Sequence, residues 1–220
     1  MGEFLGAVTP GSPVVLIGGL VALILVVFTD TWAESLVTVA HEGGHAFVAL
    51  LTGREVFSLR VNETTGGGVT RHSGGWGVGR IFISLAGYLT PPLLGLAGAT
   101  LVLAGKSWSV LWASIVLLVG AFVHARDNFT CTVIVLAAVG IGWAAIEGSP
   151  PVQGFVAVVL AWWMLFGGVR QLQGMGLGVS GSDAANLSRF TWIPAILWVA
   201  LFWFVALLCL LVGGRRLLGI

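Results

Sequence analysis

The chain has 220 residues, 57% of them hydrophobic and only 9% charged, with a mean hydropathy of +1.02. That balance excludes a soluble domain of this length and predicts a polytopic membrane protein. A net charge of +1 without basic or acidic runs argues against nucleic acid or an acidic partner, and Cys131 and Cys209, both within apolar runs, read as small buried hydrophobes rather than a disulfide framework.

Ser12-Pro13 reads as an N-cap with proline at the first helical position, and residues 14–28 form a nearly unbroken apolar run, the first expected span. It lacks the basic n-region and small-residue cleavage site of a secretory signal, so it is expected to be retained. Thr31-Trp32-Ala33-Glu34 has the form of a capping box. It predicts a second helix over 32–52, stopped by Gly53, whose 21 residues would rise about 31 Å and cross the hydrocarbon.

This second helix carries His41-Glu42-Gly43-Gly44-His45. Residues four apart share one helix face, so His41 and His45 can hold one metal ion between them. Glu42 beside it can take a proton from a water whose pKa zinc lowers toward about 7, which is the chemistry of peptide-bond hydrolysis. Ionisable groups within a span cost roughly 2.5 to 3.5 kcal/mol each, so three in one turn of a chain with four histidines call for a function. The alternative is a structural polar cluster bonded to neighbouring helices. Gly43 and Gly44 each cost a helix about 1 kcal/mol and predict a close backbone approach, by a substrate or by an ordinary helix neighbour.

Residues 53–80 are the longest polar stretch. Phe57 to Asn62 alternates apolar and polar, Thr64 to Gly68 reads as a turn, and Val69 to His72 as a return strand, together a hairpin. Its edge could pair with an extended peptide, or it could be a plain surface hairpin. His72 lies within reach of a metal in principle. Further spans are expected over 81–104, kinked or broken at Pro91-Pro92, then over 108–125, 129–146, 152–169 and from Pro194 to 212.

A zinc site on two histidines needs a third protein ligand. In the polar segment 178–190, Ser182 can cap a short helix with Asp183 in its first turn; Asp183 is either that ligand or a favourable charge at a helix N-terminus. Glu147 and Glu63 are rival ligands. Asn186, His124 and Asn128 are candidates for oxyanion or substrate contacts. With the N-terminus inside, Arg54, Arg60, Arg71, Arg80, Arg126, Arg170 and Arg189 fall on the cytoplasmic side and Lys106, Arg215 and Arg216 outside, which puts the active site toward the cytoplasmic half. The two arginines at the tail fit that arrangement poorly, as they would if the span count were off by one.

The His41-Glu42-Gly43-Gly44-His45 helix resembles the signature of the site-2 proteases, intramembrane zinc metallopeptidases. A hairpin after that helix, a Gly/Pro-interrupted next span and a late aspartate extend the likeness. Ser182-Asp183-Ala184 departs from the Leu-Asp-Gly form of many members, as in a divergent, shorter bacterial-type branch. The resemblance implies one integral membrane metallopeptidase domain over 1–220, all-α with about six or seven transmembrane helices and a small membrane-associated β-hairpin, in a bacterial plasma membrane. It implies Zn2+ held by His41, His45 and Asp183, with Glu42 as the catalytic base, and a membrane-protein substrate cut in or near a transmembrane segment. A silent membrane scaffold or a metal-binding carrier would use the same histidines; the oligomeric state is open.

Overall fold

The computed structural model describes residues 8–28, 30–74, 77–175 and 182–220, without the side chains of residues 30–33. The Thr31 side of the expected capping box and the 178–181 part of the third-ligand segment therefore lie outside the described residues. The fold is all-α with one small hairpin: α1 (Pro13–Phe28), α2 (Asp30–Leu51), β1 (Val56–Val61), β2 (Gly68–His72), α3 (Gly79–Leu103), α4 (Ser107–His124), α5 (Asn128–Ile146), α6 (Pro150–Gln173), α7 (Asp183–Thr191) and α8 (Ala195–Leu218).

Five of these helices, α3, α4, α5, α6 and α8, are long and apolar enough to cross a membrane, slightly fewer than the six or seven expected. The difference lies in the first two helices. The 16 residues of α1 rise about 24 Å, short of a full hydrocarbon thickness. The 22 residues of α2 have the length, but Glu34, Ser35, Thr38, His41, Glu42 and His45 interrupt their apolar character. Nor does α3 break at its prolines. It runs unbroken through Pro91 and Pro92, both buried, with Pro92 packed on Gly168 of α6.

Small residues set the packing. Gly18 and Gly19 of α1 lie on Val158 and Trp162 of α6, and Gly95 of α3 lies on Leu165. Along α6 the neighbours run from Val8 beside Gly154 to the Val27 carbonyl beside Arg170, so α1 and α6 are parallel. At the start of α6 residues 8–11 meet the end of α8, with the Gly11 N–H donating to the Leu217 carbonyl at 2.8 Å. At its other end Val37 of α2 packs on Gly167, and the Gln171 amide donates to Thr38 Oγ1 at 3.3 Å.

The hairpin sits at that second end. Its strands pair antiparallel, Leu59 opposite Thr70 and Val61 opposite Gly68, with a bulge between Val56 and Ser58. The outer edge of β1 is closed: Leu59 bridges to Ala125, and the Val61 N–H donates to Thr130 Oγ1 at 2.8 Å. Among the described residues β2 has no further strand beside it, so β2 is the free edge. The turn is tied down by Thr38 Oγ1, which donates to the Gly66 carbonyl at 2.7 Å.

Candidate metal centre

His41 and His45 project from one face of α2 with their Nε2 atoms 3.1 Å apart. Asp183 comes to them from the first turn of α7, where Ser182 Oγ accepts from the Ala185 N–H and caps the helix. Its Oδ2 lies 3.2 Å from each Nε2. Four ligands about 2.05 Å from a tetrahedral zinc have edges of roughly 3.3 Å, so this triangle of two nitrogens and one oxygen matches one face of such a tetrahedron. The fourth corner carries no protein ligand among the described residues. An open corner is what a hydrolytic rather than a structural site requires.

The donors are prepared for a cation. Both imidazoles are buried, and His45 Nδ1 is 2.7 Å from the Ile83 carbonyl, which keeps the proton on Nδ1 and the lone pair on Nε2. Burial opposes ionisation of Asp183, but when His45 and His41 carry protons in place of a metal their charge holds its carboxyl well below the usual carboxylate range. Glu42, the next residue on α2, is only 4% exposed, and its Oε2 has no hydrogen-bond partner. A buried carboxylate oxygen left unpaired is costly, and one beside three convergent ligand atoms is poised to accept a proton.

Glycines make the crowding possible. A Cβ at Gly87 of α3 would stand 2.5 Å from both Nε2 atoms, and one at Gly68 of β2 would stand 2.6 Å from Glu42 Cγ and Oε1. Gly44 lets α2 meet α3, since a Cβ there would lie 3.0 Å from the Ala86 carbonyl oxygen; Gly43, by contrast, would meet nothing within 4 Å. Close approach thus explains one of the two glycines in the motif. Thr70 Oγ1 donates to the Glu42 carbonyl at 3.1 Å, so β2 lies directly over the base.

The other expected residues fall elsewhere. His124 ends α4 and Asn128 begins α5, at the corner that flanks β1, and Asn128 is exposed. Neither belongs to the cluster. Asn186 lies one turn along α7 from Asp183, half-buried, with its N–H on the Ser182 carbonyl. His72 bonds the Ser73 carbonyl through Nδ1. Glu147 caps the far end of α5, about 28 Å of helix from the hairpin, and Glu63 is exposed in the turn, so neither rival carboxylate reaches the histidines. Reading the sequence missed Ile83, Gly87 and Tyr88. The one available signal was Gly87-Tyr88 just before Pro91-Pro92.

A family model described as Peptidase M50B-like matches residues 15–213, which takes in His41, His45 and Asp183 and all but the last turn of α8. No curated protein and no solved structure matches the chain.

Proposed function

The chain belongs to the Peptidase M50B-like family, and from that premise we propose that it is an intramembrane zinc endopeptidase cutting a membrane protein in or near a transmembrane segment. The observation that carries this reading is the triangle of His41, His45 and Asp183 at 3.1 to 3.2 Å, with the buried carboxylate of Glu42 next along α2, its Oε2 without a hydrogen-bond partner among the described residues. The ligand set, two imidazoles and one carboxylate with an open corner, suits a catalytic zinc ion. Zinc bound there supplies the acidification of a water and the polarisation of the scissile carbonyl. Glu42 takes the proton from the attacking water and returns it to the leaving nitrogen.

Substrate has to arrive as an extended chain, because a helix shields its peptide bonds within its own turns. The free edge of β2 offers such a chain a partner. Asn62 N–H donates to the Gly67 carbonyl, and hydrogen-bonded pairs alternate along an antiparallel ladder, so the main-chain groups of Gly68 and Thr70 point away from β1. These are the residues that lie over Glu42.

The chain is an integral membrane protein, and its arginines orient it. Arg54, Arg60, Arg71, Arg80, Arg126, Arg170 and Arg189 belong to elements at the metal end, Lys106, Arg215 and Arg216 to the other. The excess of basic residues faces the cytoplasm. Since residues 8–11 and 217–219 lie together at the opposite end, this orientation puts both outside, in place of a cytoplasmic N-terminus. Arg215 and Arg216 stay at that outer end with Lys106, against seven arginines at the metal end.

Glu42→Gln tests the mechanism, since it keeps the shape and the ligands but removes the base. Expected are unchanged zinc content in the purified protein and loss of cleavage of a co-reconstituted transmembrane substrate. Cleavage at a rate near that of the unaltered chain would refute the assignment.

A further inference from the structure

His41 and His45 are held in place by different means. His45 donates its Nδ1 proton to the Ile83 carbonyl, the kind of outer contact that fixes a ligating imidazole. His41 is equally buried, yet its Nδ1 has no hydrogen-bond partner among the described residues. An imidazole lacking that bond can turn about its broad, soft χ2 torsion unless packing stops it. The packing present is aromatic. The Tyr88 ring stands edge-on to His41, with centroids 4.5 Å apart and planes at 89°, and Tyr88 in turn rests on Phe202 of α8, centroids 5.1 Å apart. Phe202 is fully buried in a cluster with Leu172, Leu187 and Val199, which ties the last turn of α6, α7 and α8 together.

We infer that Tyr88 is a positioning residue for the metal, its ring backed by Phe202 doing for His41 what the Ile83 carbonyl does for His45. The inference rests on the zinc site proposed above and deepens it. One turn of α3 supplies both parts of the seat: Gly87 leaves the space in which the two Nε2 atoms converge, and Tyr88 walls the His41 ring. The role belongs to the ring. The phenol contributes no hydrogen bond to either histidine, whose ring nitrogens bond only each other, Asp183 and the Ile83 carbonyl. Tyr88 acts through His41 and need not touch substrate.

The test uses the full chain purified in detergent and reads the metal, not cleavage. Zinc affinity is measured by competition with a chromophoric chelator, and the ligand geometry by the visible spectrum of the cobalt(II)-loaded protein. Tyr88→Phe is expected to keep both, because the ring remains. Tyr88→Leu is expected to weaken zinc by about 10- to 100-fold, the usual effect of losing an outer contact to a ligating histidine, and to change the cobalt spectrum. Unaltered affinity and spectrum in Tyr88→Leu would overturn the inference, as would an equal loss in Tyr88→Phe, which would move the role to the hydroxyl. If Tyr88→Leu loses its helical circular dichroism, Phe202→Leu decides: a folded protein with a shifted cobalt spectrum supports the backing role, and an unshifted one overturns it. An unaltered chain that binds zinc yet cuts no membrane substrate would refute the proposed activity and leave Tyr88 standing. One that binds neither metal would refute the site and this inference together.

Discussion

Gly87→Ala puts the architecture of the centre under the most direct strain. The added methyl would sit 2.5 Å from Nε2 of both His41 and His45, and 2.6 Å from His45 Cε1. Ordinary contacts between such atoms lie near 3.5 Å, so about 1 Å of overlap has to be relieved. The backbone of α3 has little room to withdraw, since Ala86 bears on α2 at Gly44 and Pro92 bears on α6 at Gly168. The imidazoles therefore move, which changes the triangle they make with Asp183. A functional metal site tolerates errors of about 0.2 Å in its ligand distances, several times less than this displacement. We expect at least about a 100-fold loss of zinc affinity, equivalent to about 2.8 kcal/mol, with helical circular dichroism unchanged. The assay is chelator competition together with metal content. Gly43→Ala is the matched control: its methyl meets nothing within 4 Å, it gains about 0.5 to 1 kcal/mol of helix stability, and zinc binding stays as it was. A Gly87→Ala protein that binds zinc as tightly as the unaltered chain would refute this description of the centre.

Asp183→Ala is expected to lose most of its zinc, while Glu147→Ala and Glu63→Ala keep theirs; metal analysis of the three purified proteins decides between the carboxylates. Thr70→Pro removes a main-chain donor from the free edge and is expected to cut cleavage at least tenfold with zinc content unchanged, whereas Thr70→Ala, which loses only the bond to the Glu42 carbonyl, costs about 1 kcal/mol of stability and much less activity. Equal cleavage by the proline and alanine proteins would exclude substrate pairing at β2.

What could be read from the sequence was what one helix settles by itself. The spacing of His41 and His45 is local geometry, and so is the Ser182 cap that starts α7 with Asp183 in its first turn. Asp183 meeting His41 across 142 positions is not local, and the sequence offered it only as a carboxylate in a late polar segment. Where non-local contacts decide, expectations drifted. Pro91-Pro92 implied a kinked or broken helix, but α3 runs unbroken through both buried prolines, with Pro92 against α6. The length of α2 implied a crossing, although its polar residues leave it short of the apolar character of the other long helices. His124 and Asn128 were grouped with the site by side of the membrane, whereas the α4–α5 corner goes to the back of β1. Gly87 and Tyr88 matter only because α3 passes the imidazoles, and their place just before Pro91-Pro92 does not say what they pack against.

The closed edge of β1 bears on which substrates this centre can take. With Leu59 and Val61 bonded to the α4–α5 corner, an incoming strand has, among the described residues, β2 to pair with, and β2 directs the main-chain groups of three residues outward, Gly68, Thr70 and His72. Unwinding one turn of a transmembrane helix frees about four N–H and four C=O groups, each costing several kcal/mol in hydrocarbon. Three residues of edge strand can satisfy up to about six groups, which is about three-quarters of them. The remainder need water, or a substrate whose helix is already weak at the cut. In the orientation proposed above, the polar hairpin turn and the metal end of the bundle, with its arginines, face the aqueous cytoplasm. A peptide bond near the membrane boundary, or beside a glycine or proline that leaves fewer helical bonds to break, is therefore within the means of this edge, and a bond in the middle of an unbroken apolar helix is not.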